Sequence, residues 1–414
     1  MITNLKKYLP YLLPLLLIFS RSVADITIVL ISILFIYHSY KKLGWGWVKE
    51  KWFCFALIFW VYCLTINSAF SINPTESLAY SLFFIRWPIF AMALAYWILT
   101  DIKSLKKFLL AMTLVLIFII FDTWWQFFFE QDIFGFEKYM PNRLTGPFKG
   151  NPHVGAWIAK LILLPPLFLI LYDKLKLQEH QNCLTYSFFI ISTILFLSVA
   201  ITGERMALLL TLASIFILFI GLALNKIFLL KKISLLLLFS FFAILIFAYS
   251  FPHTTERAYF STIEKILNWR TSDYGLVWQS AYDVWVQSPL FGAGLHKYRE
   301  ACENLGIYGS SYLNAIGVGV CFHPHNISLQ LLSETGLVGF ILFYAMVIVL
   351  AFTSLKIYFT SKLWLSFALV FNIIFTCFLP IASSTSFFAN KYGAIVWLLV
   401  GVMLATNGLF KKEN

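Results

Sequence analysis

Apolar runs separated by short polar breaks dominate the chain, and twelve of them are long enough to consider as membrane crossings: residues 8 to 20, 23 to 40, 52 to 70, 78 to 99, 105 to 129, 154 to 172, 184 to 201, 206 to 224, 233 to 251, 327 to 354, 363 to 380 and 388 to 408. A helix needs roughly 20 apolar residues to cross about 30 Å of hydrocarbon. The pattern therefore predicts an all-α integral membrane protein with about 12 transmembrane helices. Leu12 to Phe19 is followed by Arg21 and Asp25, where a cleavage site would need small residues, so the first run reads as a retained span. One break differs in kind. Residues 252 to 326 make a segment of 75 residues, whereas links between bundle helices usually take about 2–8. It is expected to fold as a helical periplasmic loop domain between two membrane parts, 1–251 with helices 1 to 9 and 327–414 with helices 10 to 12.

Composition narrows the class. The chain of 414 residues is 60% hydrophobic and 12% charged, far from the roughly 25% charged residues of soluble domains and from the low hydrophobicity of disordered ones. A net charge of +12 raises nucleic acid as a partner, but the basic residues fall in short clusters between apolar runs and form no stripe, so no nucleic acid is expected. They set topology instead. Lysine clusters such as Lys6 and Lys7, Lys41 and Lys42, Lys103 to Lys107, Lys231 and Lys232, and Lys411 and Lys412 mark one set of ends. Under the positive-inside rule both termini are cytoplasmic in a bacterial inner membrane, and the long loop is periplasmic. Arginines, histidines and Gly-Pro punctuation gather on the other side, where any chemistry is expected. Cys302 and Cys321 share the long loop, and an oxidising exterior would allow a disulfide between them.

Within that loop Asp273 to Gln287 reads as an amphipathic helix with Trp278, Tyr282 and Trp285 along one face, stopped by Ser288-Pro289 and followed by the turn Gly292-Ala-Gly294. Packing or interfacial burial is the simpler expectation for the aromatic stripe. His323-Pro-His325-Asn326 ends the loop, and nine residues later Gly336-Leu-Val-Gly339 opens the tenth span. A second motif, Thr202-Gly-Glu-Arg205, occupies a tight turn between two spans, and a third stretch, Arg143-Leu-Thr-Gly-Pro-Phe-Lys149-Gly-Asn-Pro-His153, occupies another loop on the same side.

With these segments in this order the chain resembles the O-antigen ligase and O-antigen polymerase superfamily, bacterial multi-span glycan transferases acting on polyprenyl (undecaprenyl) diphosphate donors. The family signature is His-Asn, nine residues, Gly, two residues, Gly, and His325-Asn326 with Gly336 and Gly339 match it. Thr202 to Arg205 resembles the family's arginine loop, and Trp278 to Leu295 its helix and Pro-Leu-Phe-Gly turn. The topology resembles the family over the whole chain, the motifs over residues 200 to 340. The chain departs from the pattern at Phe340-Ile341, where ligases often carry two threonines, and at Tyr274, where members often carry arginine. That role is carried to Arg270, one turn earlier.

The resemblance implies a membrane glycosyltransferase in lipopolysaccharide biosynthesis, an O-antigen ligase joining a glycan to lipid A-core, with a polymerase using another lipid-linked glycan as acceptor and a transporter or flippase as the alternatives. Such a transfer needs proton removal from a hydroxyl and stabilisation of a leaving diphosphate. Histidine suits the first and arginine the second. His325 is the expected catalytic residue, with Arg205, Arg270, Arg143, Lys149 and Asn326 as phosphate or substrate contacts. No Asp-x-Asp stands in a loop on that side, so the enzyme is expected to be metal-independent and cofactor-free. His323 and His325 as metal ligands lack obvious partners. Each has a plain alternative: His325 capping a helix, Arg205 snorkelling to headgroups, Arg270 in a salt bridge, and residues 143 to 153 as a structural loop. Arg86 within a span needs a partner, and Asp122 is the expected one; Lys160 is similarly placed.

Overall fold

In a computed structural model the chain is described over residues 2–172, 181–224, 267–306, 321–382 and 385–413, with scattered positions between 242 and 264. Helices α1 (Ile2–Phe19), α2 (Arg21–His38), α3 (Lys51–Tyr62), α4 (Pro74–Phe84), α5 (Arg86–Ala93) and α6 (Ile102–Phe129) precede the first long loop. After it come α7 (Val154–Leu161), α8 (Leu164–Tyr172), α9 (Gln181–Ala200), α10 (Arg205–Leu224), α11 (Asp273–Gln287), α12 (Tyr298–Asn304), α13 (Ile327–Thr360), α14 (Trp364–Phe378) and α15 (Asn390–Glu413). Among the described residues no β-strand is present, only two isolated bridges.

Six helical stretches are long and apolar enough to cross a membrane: Arg21–Leu43, Pro74–Ile98, Ile102–Phe129, Arg205–Leu224, Ile327–Thr360 and Asn390–Lys411. Five shorter apolar helices, including Lys51–Asn67 and Trp364–Phe378, lie on other expected spans. The fold is thus an all-α membrane protein, but length and composition do not yield the expected count of about twelve. The shorter helices are curtailed by breaks such as Asn67, Pro380 and the bend after Leu161, and the run 233 to 251 falls almost wholly outside the described residues.

Aromatic side chains fill the bundle. Phe343 of α13 meets Phe59 of α3, Phe378 of α14 and Phe387 with ring centroids 5.4, 6.1 and 5.2 Å away, and Trp397 of α15 stacks on Trp52. Lipid tails are as apolar as these side chains, so such contacts hold helices together by close packing more than by exclusion of water.

The tenth expected span, α13, is broken rather than continuous. Gly336 adopts φ 66° and ψ −175° inside it, a conformation essentially restricted to glycine. The break exposes backbone groups that a membrane cannot solvate, and the turn after α11 supplies their partners. Ala293 and Gly294 donate to the Ser333 and Glu334 carbonyls at 2.8 and 2.9 Å, while Leu337 and Val338 donate to Pro289 and Leu290. Gly292 also has a positive φ, and a Cβ there would lie 2.5 Å from the Glu334 carbonyl. Pro289-Leu-Phe-Gly292 and Gly336-Leu-Val-Gly339 are therefore two halves of one joint. Buried side chains lock it: Tyr62 donates to the Thr335 carbonyl at 2.7 Å, and Asn67 donates to Phe291 and Glu334 carbonyls while accepting from the Leu295 amide.

α11 runs over the expected residues with Ser272 as its cap, accepting from the Gly275 amide. The face it buries is Val277, Ala281 and Val284, which pack with Ala293, Tyr298, Ala301 and the Cys302–Cys321 disulfide. Tyr282 is exposed, and Trp278 and Trp285 are half-buried, so the aromatic stripe flanks this small core instead of forming it.

Arg86 does not pair with Asp122. Its Nε donates to Asp25 Oδ1 at 3.2 Å, its Nη2 to Asn390 Oδ1 at 2.9 Å, and Asn390 in turn donates to Asp25 Oδ2. Asp122 is fully buried and accepts from the Ile133 amide at 2.9 Å, holding the loop after α6. Depth along the helices does not decide the pairing; α2, which carries Asp25, packs against α5, which begins at Arg86.

Two measurements test this account. Gly336→Ala is expected to destabilise the detergent-solubilised protein by roughly 1–3 kcal/mol, seen as a lowered thermal midpoint, whereas Gly408→Ala, with open space around it, should not. In a double-mutant cycle Arg86→Gln and Asp25→Asn should couple by roughly 0.5–3 kcal/mol, while Arg86→Gln and Asp122→Asn should add independently; the reverse pattern would refute the assignment.

Candidate functional site

The first residues of α2, α7, α10, α13 and α15 gather at one end of the bundle, and the site is built there. Asn326 caps α13 by accepting from the Leu329 amide at 3.1 Å. Its side-chain oxygen thus serves the helix. His325, just before the cap, takes a left-handed φ of 51°, which costs a non-glycine residue about 1–2 kcal/mol. The turn folds its ring back onto His323, with His325 Nδ1 3.1 Å from His323 Nε2 and ring centroids 3.8 Å apart. Tyr274 of α11 presents its ring edge-on to His325 at 5.9 Å, so tyrosine at this position contacts the histidine directly.

A buried glutamine brings the second loop to the same place. Gln126 of α6 accepts from the Thr145 and Gly146 amides at 2.8 and 2.9 Å and donates to Phe136 and Thr145. Arg143 is held one turn away, its guanidinium over Tyr139 and its Nε buried without a hydrogen-bond partner. Glu204 ties the third segment in. Its two carboxylate oxygens accept from the Gly155 and Ala156 amides at 2.7 and 3.2 Å, capping α7 at its positive end. Burial pushes the Glu204 carboxyl up to about 7 against the opposing pull of Arg143 and these amides.

Electrostatics shows which groups share the site. Burial first, then His323, Arg143 and His153, hold His325 well below the ordinary histidine range. His153 is pushed down to about 3 by burial and by Lys391, His323, Arg143 and Arg21. His323 and His325 are in contact, His153 and Lys391 line one cleft, and Arg143 bears electrostatically on both His325 and His153. Below them a cleft is lined by His153, Trp157, Lys160, Thr385, Lys391 and Tyr392. Lys160 donates to the Ala382 carbonyl at 3.0 Å, which satisfies it structurally.

The other expected contacts are placed differently. Arg270 is exposed in a short turn, Trp269–Thr271, that precedes α11. The helix begins only at Asp273, so the argument from helical spacing does not reach it. Lys149 is exposed at a positive-φ turn. Arg205 is half-buried as the first residue of α10, directly after Glu204. The sequence pattern gives Glu204 no role and does not single out Lys391, and Arg21 enters it only where a cleavage site would need small residues. The signal available was that few cations stand on that side at all, so each of them invited a reason. Among the described residues no group of three or more His, Cys, Asp or Glu is placed to hold a metal ion.

The fold and site define a helical membrane protein with a histidine pair at the mouth of a broken helix, facing cations from other helix ends. Residues 188–344 match the family model described as O-antigen ligase, so that part of the chain is similar to the O-antigen ligase family. A comparison with curated proteins gave no match.

A lowered pKa keeps the His325 imidazole neutral, and so able to accept a proton, even below pH of about 6.5. Arg143 is one cause, so Arg143→Gln should let His325 protonate at higher pH. NMR titration of labelled histidine would show an upward shift; an unmoved midpoint would mean that Arg143 does not reach the imidazole.

Proposed function

We propose that this chain is a metal-independent glycosyltransferase that moves a glycan from an undecaprenyl diphosphate to an acceptor hydroxyl at the periplasmic face of the inner membrane, with lipid A-core as acceptor. The observation that carries the reading is the gathering of Arg143, His153 and the His323–His325 pair at one mouth. In the twelve-span topology both termini are cytoplasmic, and residues 252–326 form a periplasmic domain that delivers His325.

The chemistry follows from the neighbours of His325. The acceptor oxygen forms a bond to the anomeric carbon as the bond from that carbon to the phosphate oxygen breaks, and the departing diphosphate keeps the electron pair. The acceptor proton passes to His325, worth about 10²–10⁴-fold as general base catalysis. Arg143 faces the charge that grows on the leaving group, a role for which a fixed guanidinium suits phosphate. His323 is a positioning residue: a hydrogen bond between its Nε2 and His325 Nδ1 presents Nε2 of His325 to the acceptor. Arg205, one residue beyond the Glu204 cap, is a further phosphate contact. Tyr274 and the half-buried Trp278 and Trp285 offer apolar ring faces to sugars.

Polymerisation onto a second lipid-linked glycan is the alternative reading, favoured by Phe340-Ile341 in place of the threonine pair. Both are tested in one assay with purified, reconstituted protein. His325→Ala should reduce transfer by at least about 10²-fold with normal expression, and unchanged transfer would remove the mechanism. Supplying core lipid in one arm and only lipid-linked repeats in the other separates ligase from polymerase.

A further inference from the structure

The loop after α6 does not leave the bundle. Between Leu110 and Phe129 every exposed side chain of α6 is apolar, while Lys103 and Lys107 stand exposed near its other end. That apolar stretch rises about 29 Å, which matches roughly 30 Å of hydrocarbon and puts Phe129 near the boundary. Beyond Phe129 the chain turns back along the helix. The Ile133 amide donates to Asp122 Oδ1 at 2.9 Å, and Asp122 lies about 10 Å along α6 from Phe129 at the helical rise per residue. The Phe134 ring meets those of Phe118 and Phe19 with centroids 6.3 and 5.8 Å away.

A short helix leaves the space that this loop enters. α1 ends at Phe19, whose ring lies 5.8 Å from that of Phe118, so α1 stops about 16 Å short of the end of α6. Ile133, Phe134 and Phe136 at the loop tip are 43, 51 and 39% exposed. Its backbone, by contrast, is fully paired. The Asp132 and Gly135 amides donate to the Phe136 and Asp132 carbonyls, the Phe134 and Phe136 amides donate to Asp132 Oδ1, and Ile133 donates to Asp122. The two accepting acids are buried. Water would solvate such amides without help, whereas hydrocarbon cannot. Polar side chains are confined to the neck, where Lys138 pairs with Glu130 at 2.6 Å and Gln131 bridges to Glu137.

We propose that residues 132–136 are a re-entrant foot that lies among lipid acyl chains about 10 Å inside the leaflet at the histidine end of the bundle, filling the thickness that α1 leaves unspanned. The bilayer is the occupant of its apolar face, because that face continues the exposed apolar face of α6 and no backbone group at the tip is left open for another partner. The inference depends on the chain crossing a membrane and is independent of what it transfers. Gln126 donates both to the Phe136 carbonyl and to Thr145 Oγ1, so the foot joins the bilayer to the loop that carries Arg143.

Nitroxide labels test this in the full-length protein reconstituted into phosphatidylcholine liposomes. Ile133→Cys, Phe134→Cys, Phe121→Cys and Phe129→Cys are labelled one at a time in a Cys54→Ser, Cys183→Ser background, and relaxation by oxygen, which concentrates in hydrocarbon, is compared with relaxation by a water-soluble nickel chelate. Labels at 133 and 134 should read about 10 Å deeper than the label at 129 and close to the label at 121. Greater nickel accessibility at 133 and 134 than at 129 would place the loop in water and overturn the proposal. Weak relaxation by both reagents would mean that protein, such as a second copy of the chain, covers the face, and would overturn it as well. Unmodified protein gives a reading that does not depend on the variants folding: hydroxyl-radical footprinting in the same liposomes should leave Phe134 and Phe136 unoxidised, and their oxidation would count against the foot.

Discussion

A transmembrane helix that breaks must find partners for its open backbone groups within the protein. In this chain that requirement governs the architecture around the site. The break at Gly336 is tolerated because residues 289 to 294 run alongside it and exchange four backbone hydrogen bonds with residues 333 to 338. Each such group left unpaired in hydrocarbon would cost several kcal/mol. The loop domain is consequently not an accessory laid over a finished bundle. Its turn completes the helix that presents the histidines, and Tyr62 and Asn67 from another span close the joint from below.

Much of this was legible in the sequence, for physical reasons that differ from element to element. α11 was readable to the residue because Ser272 and Ser288-Pro289 punctuate an amphipathic stretch. The spans were readable as apolar runs, but their number was not, because the pattern is silent about where Asn67 or Gly336 interrupts a helix. Gly292 and Gly336 were visible as motif members, yet their purpose lay in a contact across more than forty positions. The partner of Arg86 was misjudged since depth along a helix says nothing about which helices are adjacent. Helical spacing does not reach Arg270 because a turn, Trp269–Thr271, precedes the helix.

The electrostatics of the site has a common cause with its topology. Five helices begin at the same end, so their first residues converge, and loops tied by Gln126 and Glu204 converge with them. Neutral histidines next to fixed cations are a consequence: burial and neighbouring charge each disfavour protonation of His325 and His153. The same burial and charges thereby favour the neutral form of both imidazoles.

The joint at Gly336 also bears on how such a protein can diversify. The position of His325 depends on main-chain hydrogen bonds, two glycines and a cap, none of which specifies the side chains that look into the cleft. Residues lining that cleft are accordingly free to change without dislodging the histidine. A scaffold of this kind lets the lining of the cleft vary while the short glycine and histidine motifs that hold the joint stay in place.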